Sequence, residues 1–147
     1  MNEKDMIEIA NVMANECTAM RLRFVNRVIT GLYDRALKPL GVKTSQAGII
    51  VLLSIRGESN PSEIGRIFQM EKSTVSRNIG RMKKKGWLEV TAMNGQVSQV
   101  IKLTSTGREL LGAIYGEWKK AQEEAGKLLG EEGVATVRGL YDTLHLG

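Results

Sequence analysis

Residues 60 to 87 read NPSEIGRIFQMEKSTVSRNIGRMKKKGW. Asn60 is a capping residue type, Pro61 suits the first helical position, and Glu63 completes the capping-box spacing from Asn60. Ile64, Ile67 and Phe68 then supply one apolar face. Gln69, Met70 and Glu71 form a turn, and Glu71 lies at the positive end of the next helix dipole. Beyond it Val75, Ile79 and Met82 recur at steps of four and three, so they share a face directed into the domain. Two short helices joined by so tight a turn make a helix-turn-helix.

The second helix is polar and basic where it is not apolar. At about 100° per residue its opposite face carries Ser73, Arg77, Gly80, Arg81 and Lys84, flanked by Thr74 and Ser76, with Lys72 at its start. Small hydroxyls can bond phosphates or base edges, Arg77 is long enough for a bidentate guanine contact, and Gly80 leaves room for a DNA backbone. Between Ser62 and Lys102 there are eight cations and three anions, while the remainder balances at thirteen of each, so the whole net charge of +5 sits in this stretch. A focused basic surplus beside a helix-turn-helix is the footprint of a phosphate-binding surface.

After Gly86 comes a plausible strand, Trp87 to Thr91, then Asn94-Gly95, the favoured two-residue hairpin turn, and a returning strand from Gln96 to Leu103. A turn that tight puts Leu88 opposite Ile101 and Ala92 opposite Val97. The result is a compact β-wing.

Working outward, Met6, Ile9, Ala10, Met13, Cys17, Met20, Phe24, Val28 and Leu32 step by threes and fours along an N-terminal helix that Pro39 and Gly41 stop. A helix from Ser45 to Arg56 is apolar almost all round (Ile49, Ile50, Val51, Leu52, Leu53, Ile55), which suits a central buried element. Thr104 or Thr106 starts a last helix, the latter with Glu109 at capping-box spacing. Its Leu111, Ile114, Trp118, Ala121, Ala125 and Leu128 follow a coiled-coil rhythm that resumes after Gly130 at Val134, Val137, Tyr141 and Leu144. The fold class is therefore mainly α with a β-wing: one domain over 1–147, a winged helix-turn-helix at 44–103, and terminal helices at 1–38 and 104–147. Those termini carry more apolar face than so small a winged domain can cover, which predicts a homodimer built from both.

At 147 residues the chain can bury a core without disulfides or metals. Its one cysteine, Cys17, excludes an internal disulfide, and with one histidine, His145, it has too few soft ligands for a structural zinc. No cofactor is expected. The longest apolar run, Ala47 to Ile55, is far short of a membrane span, and the charged start does not have the form of a secretory signal, so a cytoplasmic location is expected. Nothing pairs a nucleophile with a base, which argues against an enzyme.

Several stretches together resemble the MarR family, the multiple-antibiotic-resistance type of winged-helix transcription regulator: RALKPLGVKTSQ at 35–46, PSEIG at 61–65, KSTVSR at 72–77, KGWL at 85–88 and LTSTGR at 103–108. The resemblance implies a triangular homodimer with interlocked terminal helices, acting as a ligand-responsive repressor on a pseudo-palindromic operator. It places Ser73, Thr74, Ser76 and Arg77 at the major groove and Pro61 and Ser62 near the DNA backbone. Two-fold symmetry then sets half-sites about one helical turn apart. The resemblance also implies a small phenolic or other aromatic anion as effector, in the crevice between terminal helices and winged domain, with Arg21, Arg23, Ile49, Leu53 and Phe68 as candidate lining.

One departure is the wing. Where the family commonly carries an arginine for the minor groove, this chain has Gly95, Gln96 and Val97. Three readings are open: recognition rests more on the helix and on Lys102; Asn94 and Gln96 contact the minor groove by hydrogen bonds; or the winged helix serves protein-protein interaction, with DNA binding weakened or lost. Cys17 lies near the place of a peroxide-sensing cysteine found in some members, but its register puts it on the apolar stripe and favours a buried structural thiol.

Overall fold

The computed structural model of the protein describes residues 1–92 and 99–145. Helix α1 (Glu3–Glu16) is held at its start by a reciprocal capping box between Asn2 and Asp5 and stops at Cys17, whose ψ of 105° breaks the ladder. Helix α2 (Thr18–Leu37) follows at once, and Pro39 sits in the short 3-10 turn over Lys38–Leu40 that ends it. The N-terminal stripe thus forms helix with one interruption. It is not a core: α1 buries no residue, and in α2 only Leu32 and Leu37 are buried.

Helix α3 (Thr44–Arg56) is capped by its neighbour. The backbone N–H of Thr44 and its hydroxyl both donate to Asp34 of α2, at 2.7 and 2.8 Å, so a carboxylate faces the positive end of α3. Buried Gln46 accepts from the Lys43 N–H at 3.1 Å. Ile49, Ile50 and Leu53 are buried, but Ile55 is exposed and Val51 half-exposed. The expectation of burial all round therefore fails on one face of α3.

Strand β1 (Glu58–Ser59) leads into α4 (Pro61–Phe68), the reversal at Gln69 and α5 (Lys72–Lys84); β2 (Leu88–Ala92) and β3 (Gln99–Leu103) follow. The antiparallel sheet has the order β1-β3-β2. Leu88 lies opposite Leu103, Val90 opposite Ile101 and Ala92 opposite Gln99, two residues away from the pairing that a tight Asn94-Gly95 turn requires. A shift of two keeps every side chain on its own face, so alternation cannot distinguish the registers. The base of the wing does: the Thr104 N–H donates to the Trp87 carbonyl at 3.1 Å, which brings Leu103 across from Leu88. The turn itself, with Asn94, Gly95, Gln96 and Val97, lies outside the described residues.

Helix α6 (Ser105–His145) is capped by Thr104, whose hydroxyl accepts the Gly107 N–H at 3.0 Å and donates to the Gly86 carbonyl at 2.6 Å. Thr104 rather than Thr106 is the cap. Gly107 packs so closely beneath the wing that a Cβ there would stand 2.2 Å from the Trp87 carbonyl oxygen. Gly130, at φ 72° and ψ 169°, interrupts α6 in a conformation open essentially to glycine alone. The core gathers Leu37, Ile49, Ile50, Leu53, Ile64, Val75, Ile79, Met82, Trp87, Leu88, Ile101, Leu103 and Ile114, so it lies under the winged region and the first half of α6.

Candidate nucleic-acid interface

The local chemistry that aims α5 begins before it. The Asn60 side chain accepts the Glu63 N–H at 2.9 Å and so caps α4. Glu63 does not return the bond to Asn60. Its carboxylate takes the Ser59 hydroxyl at 2.7 Å and pairs with Arg56, because that guanidinium comes within reach from the end of α3. The Ser59 bond, aided by Arg56, holds the Glu63 carboxyl below the ordinary carboxylate range. Gln69 adopts φ 51°, and the Met70 N–H closes on the Gly65 carbonyl at 2.9 Å, turning the chain sharply into α5.

Val75, Asn78, Ile79 and Met82 are the buried side of α5. Ser73, Ser76, Arg77, Gly80, Arg81 and Lys84 are exposed, and Thr74 is half-buried. Arg77 lies back along its own helix, donating to the Thr74 hydroxyl at 3.3 Å. A Cβ on Gly80 would meet nothing within 4 Å, so the surface is open there.

Two clefts meet at the start of α5. One, of about 500 Å³, runs between α4, α5 and the sheet and brings together Pro61, Ser62, Lys72, Ser76 and Gly80 with Lys83 and Gln99. The other, of about 510 Å³, lies in the turn and adds Arg66 and Gln69 to Ser62 and Lys72. Lys83, Arg66 and Gln69 are not among the DNA-contact residues expected from the sequence. The signal for Lys83 was present, since residues 72, 76, 80 and 83 recur at helical spacing and share one strip beside the Ser73–Arg77 strip.

Lys102 stands apart from these clefts. Its ammonium lies 3.1 Å from Glu58, its partner in the β1–β3 pair, with Glu89 opposite on β2. Asn94 and Gln96 lie outside the described residues.

A separate crevice of about 710 Å³ opens between α2, α3 and α6. Phe68 lines it, together with Val51, Leu52, Tyr115 and Trp118. Ile49 and Leu53 instead belong to the core, on the opposite side of α3. Arg21 and Arg23 are exposed near the start of α2 and take no part in the lining. Tyr33, at its edge, donates to Gln122 across the α2–α6 contact, and burial pushes its hydroxyl pKa up, which keeps the proton on the donor. Cys17 is half-buried at the α1–α2 break, and so is not the buried thiol expected from its stripe.

Among the described residues no cluster of three or more His, Cys, Asp or Glu side chains could hold a metal, and no helix is long and apolar enough to cross a membrane.

Residues 40–94 match the family described as the MarR family. The chain is 26% identical over 98 residues to the uncharacterised HTH-type transcriptional regulator YwoH of Bacillus subtilis, covering 67% of this chain and 72% of that one. Among solved structures it is similar to a cysteine-to-serine mutant of MarR from E. coli complexed with operator DNA (TM-score 0.77, 19% identity, 90% of this chain and 96% of that one). It is also similar to the M. tuberculosis transcriptional regulator MosR in complex with DNA (TM-score 0.74, 26% identity, 89% and 98%).

Proposed function

We propose that this chain, a MarR-family winged-helix protein, is a sequence-specific DNA-binding transcription regulator that works as a homodimer on a pseudo-palindromic operator. The observation that carries the reading is the exposed basic face of α5, with the clefts at its start gathering Ser62, Lys72, Ser76 and Lys83. Those side chains offer hydroxyl and ammonium donors toward one side of the molecule, the mixture that phosphate positioning and base-edge reading use together. In this reading Ser73, Thr74, Ser76 and Arg77 enter the major groove, with Arg81 and Lys84 alongside. Pro61, Ser62, Lys72 and Lys83 meet the backbone. That MarR and MosR were solved on DNA supports the reading.

The dimer follows from the termini. Met6, Ile9, Val12 and Met13 on α1, Met20, Phe24 and Val28 on α2, and Val137, Leu140, Tyr141 and Leu144 at the end of α6 are exposed apolar side chains. So many exposed large apolar side chains on the terminal helices mark an interface. A second copy covers it, and sedimentation should show a dimer; a concentration-independent monomer would overturn this. The regulator is read as a cytoplasmic repressor released when an effector fills the crevice beside Phe68.

Selection of DNA by the purified protein from a genomic or random library tests the central claim. Enrichment of a two-fold-symmetric site, with affinity falling steeply in salt, is the expected result. Salt-insensitive, unselective binding would instead favour the protein-interaction reading.

A further inference from the structure

The run Lys83-Lys84-Lys85 at the end of α5 does not act as one patch. Lys83 lines the cleft beside Ser76 and Gly80, and Lys84 is exposed on the face that carries Arg77. Lys85, at the C-cap, turns back onto the domain. Its ammonium donates to the Gly41 carbonyl, 44 residues earlier in the chain, and stands 4.6 Å from the centre of the Trp87 ring. A Cβ on Gly41 would stand 3.1 Å from that nitrogen. Among the described residues no other side-chain hydrogen bond joins α5 or its C-cap to a different element.

Both ends of this contact are held in place. On one side α5 closes with two bonds, the Gly86 N–H to the Lys83 carbonyl at 2.9 Å and the Trp87 N–H to the Met82 carbonyl at 3.0 Å, with Gly86 at φ 77°. Trp87 is itself buried, and its carbonyl accepts the Thr104 N–H at the root of α6. On the other side Gly41 lies between Leu37 and Val42, which are 1% and 2% exposed. Gly41 follows α2 by one short turn, and α2 carries Met20, Phe24 and Val28, part of the exposed apolar face assigned to a second copy. Lys85 therefore ties the C-terminal end of α5 to the root of a helix that the proposed dimer uses. Apolar packing beneath α5 is non-directional, whereas a charged hydrogen bond to a fixed carbonyl sets a direction.

We infer that Lys85 is a positioning residue, which fixes the angle between α5 and α2 and thereby the half-site spacing that the dimer accepts. The inference rests on the reading of the chain as a homodimer on a pseudo-palindromic operator. Each base pair inserted between half-sites moves the second by about 3.4 Å along the DNA axis and about 35° around it. Two fastened protomers cannot follow that displacement; loosened ones can.

Anisotropy titrations with the selected operator, and with versions carrying one base pair more or fewer between the half-sites, test this. The parent should favour its own spacing at least about tenfold, no less than a mismatched base pair costs. Lys85→Met keeps an unbranched apolar stem at an exposed position and removes the ammonium. Its spacing preference should fall to about threefold or less, with base preference inside each half-site and the log-log salt slope unchanged. Lys85→Arg, whose guanidinium can both bond Gly41 and stack on Trp87, should restore the parent's discrimination. A uniform loss of affinity at every spacing gives Lys85 a stabilising role alone and overturns the inference. So does a salt slope shallower by about 0.9 with spacing preference intact, the mark of a phosphate contact. If the parent selects no two-fold-symmetric site, the dimer reading falls and this inference with it; spacing preference retained in Lys85→Met removes the inference alone.

Discussion

The Lys102 ammonium stands 3.1 Å from the Glu58 carboxylate across the β1–β3 pair, so this cation of β3 is paired within the sheet. Its consequence for DNA binding is specific. Lys102→Ala should leave the log-log salt slope of operator binding nearly unchanged, whereas Lys83→Ala or Lys72→Ala should each reduce it by about 0.9. Glu58→Ala should act in the opposite direction, freeing Lys102 and steepening the slope. Filter binding or anisotropy across a salt series measures all four; a loss of slope in Lys102→Ala as large as in Lys83→Ala would show that the ion pair opens on DNA.

Arg77 lies on the exposed strip of α5 with its guanidinium on the Thr74 hydroxyl. That bond is long and neutral on one side, so a guanine edge can displace it readily. Arg77→Ala should weaken specific binding by about 1–3 kcal/mol and relax preference at one base position per half-site. Unchanged selectivity in a site-variant panel would refute the role.

Gly107 sits where a methyl group would collide with the Trp87 carbonyl oxygen. Backbone is the obstacle, so no side-chain rotation relieves it. Gly107→Ala should cost about 1–3 kcal/mol of stability. Urea unfolding followed by circular dichroism would show the midpoint falling, and the wing, anchored at the same carbonyl, should lose protection from hydrogen exchange first.

Glu63 links α4 to β1 through Ser59 and to α3 through Arg56. Its carboxyl is held below the ordinary range, first by the Ser59 bond and then by Arg56. A depressed carboxylate stabilises the fold above its unfolded pKa, near 4.3, and that contribution is lost as pH falls through the lower, folded value. Glu63→Gln should therefore unfold at lower urea than the parent at neutral pH, with the difference shrinking as the solution becomes more acidic. A gap that stays constant down to strong acid would assign the effect to packing.

Much of α4 and α5 was legible from residues 60–87 alone, because their logic is local. Asn60 caps, Val75, Ile79 and Met82 keep helical spacing, and the reversal at Gln69 falls between the two runs. What escaped the sequence depends on partners supplied by neighbouring elements. Asp34 caps α3 from ten residues away, Glu63 turns to Ser59 and Arg56 rather than to Asn60, and Lys102 meets Glu58 only because the sheet brings them together. The strand register failed for a related reason: two registers differing by two residues satisfy the same alternation, and the contact that chooses between them joins Thr104 to Trp87. Burial of Ile49 and Leu53 was likewise undecidable within α3, where nearly every position is apolar and only the neighbouring elements say which side faces the core.

Gly130 carries a consequence for inheritance. Its backbone angles suit glycine alone, so every codon change that replaces it adds a side chain at a joint with no room in dihedral space, even though the space around it is empty. Variation at this position is thus constrained by the chain's own path, and a substitution there would redirect the last stretch of α6, moving Val137, Tyr141 and Leu144 together. One residue without a side chain decides where the C-terminal share of the apolar surface is presented.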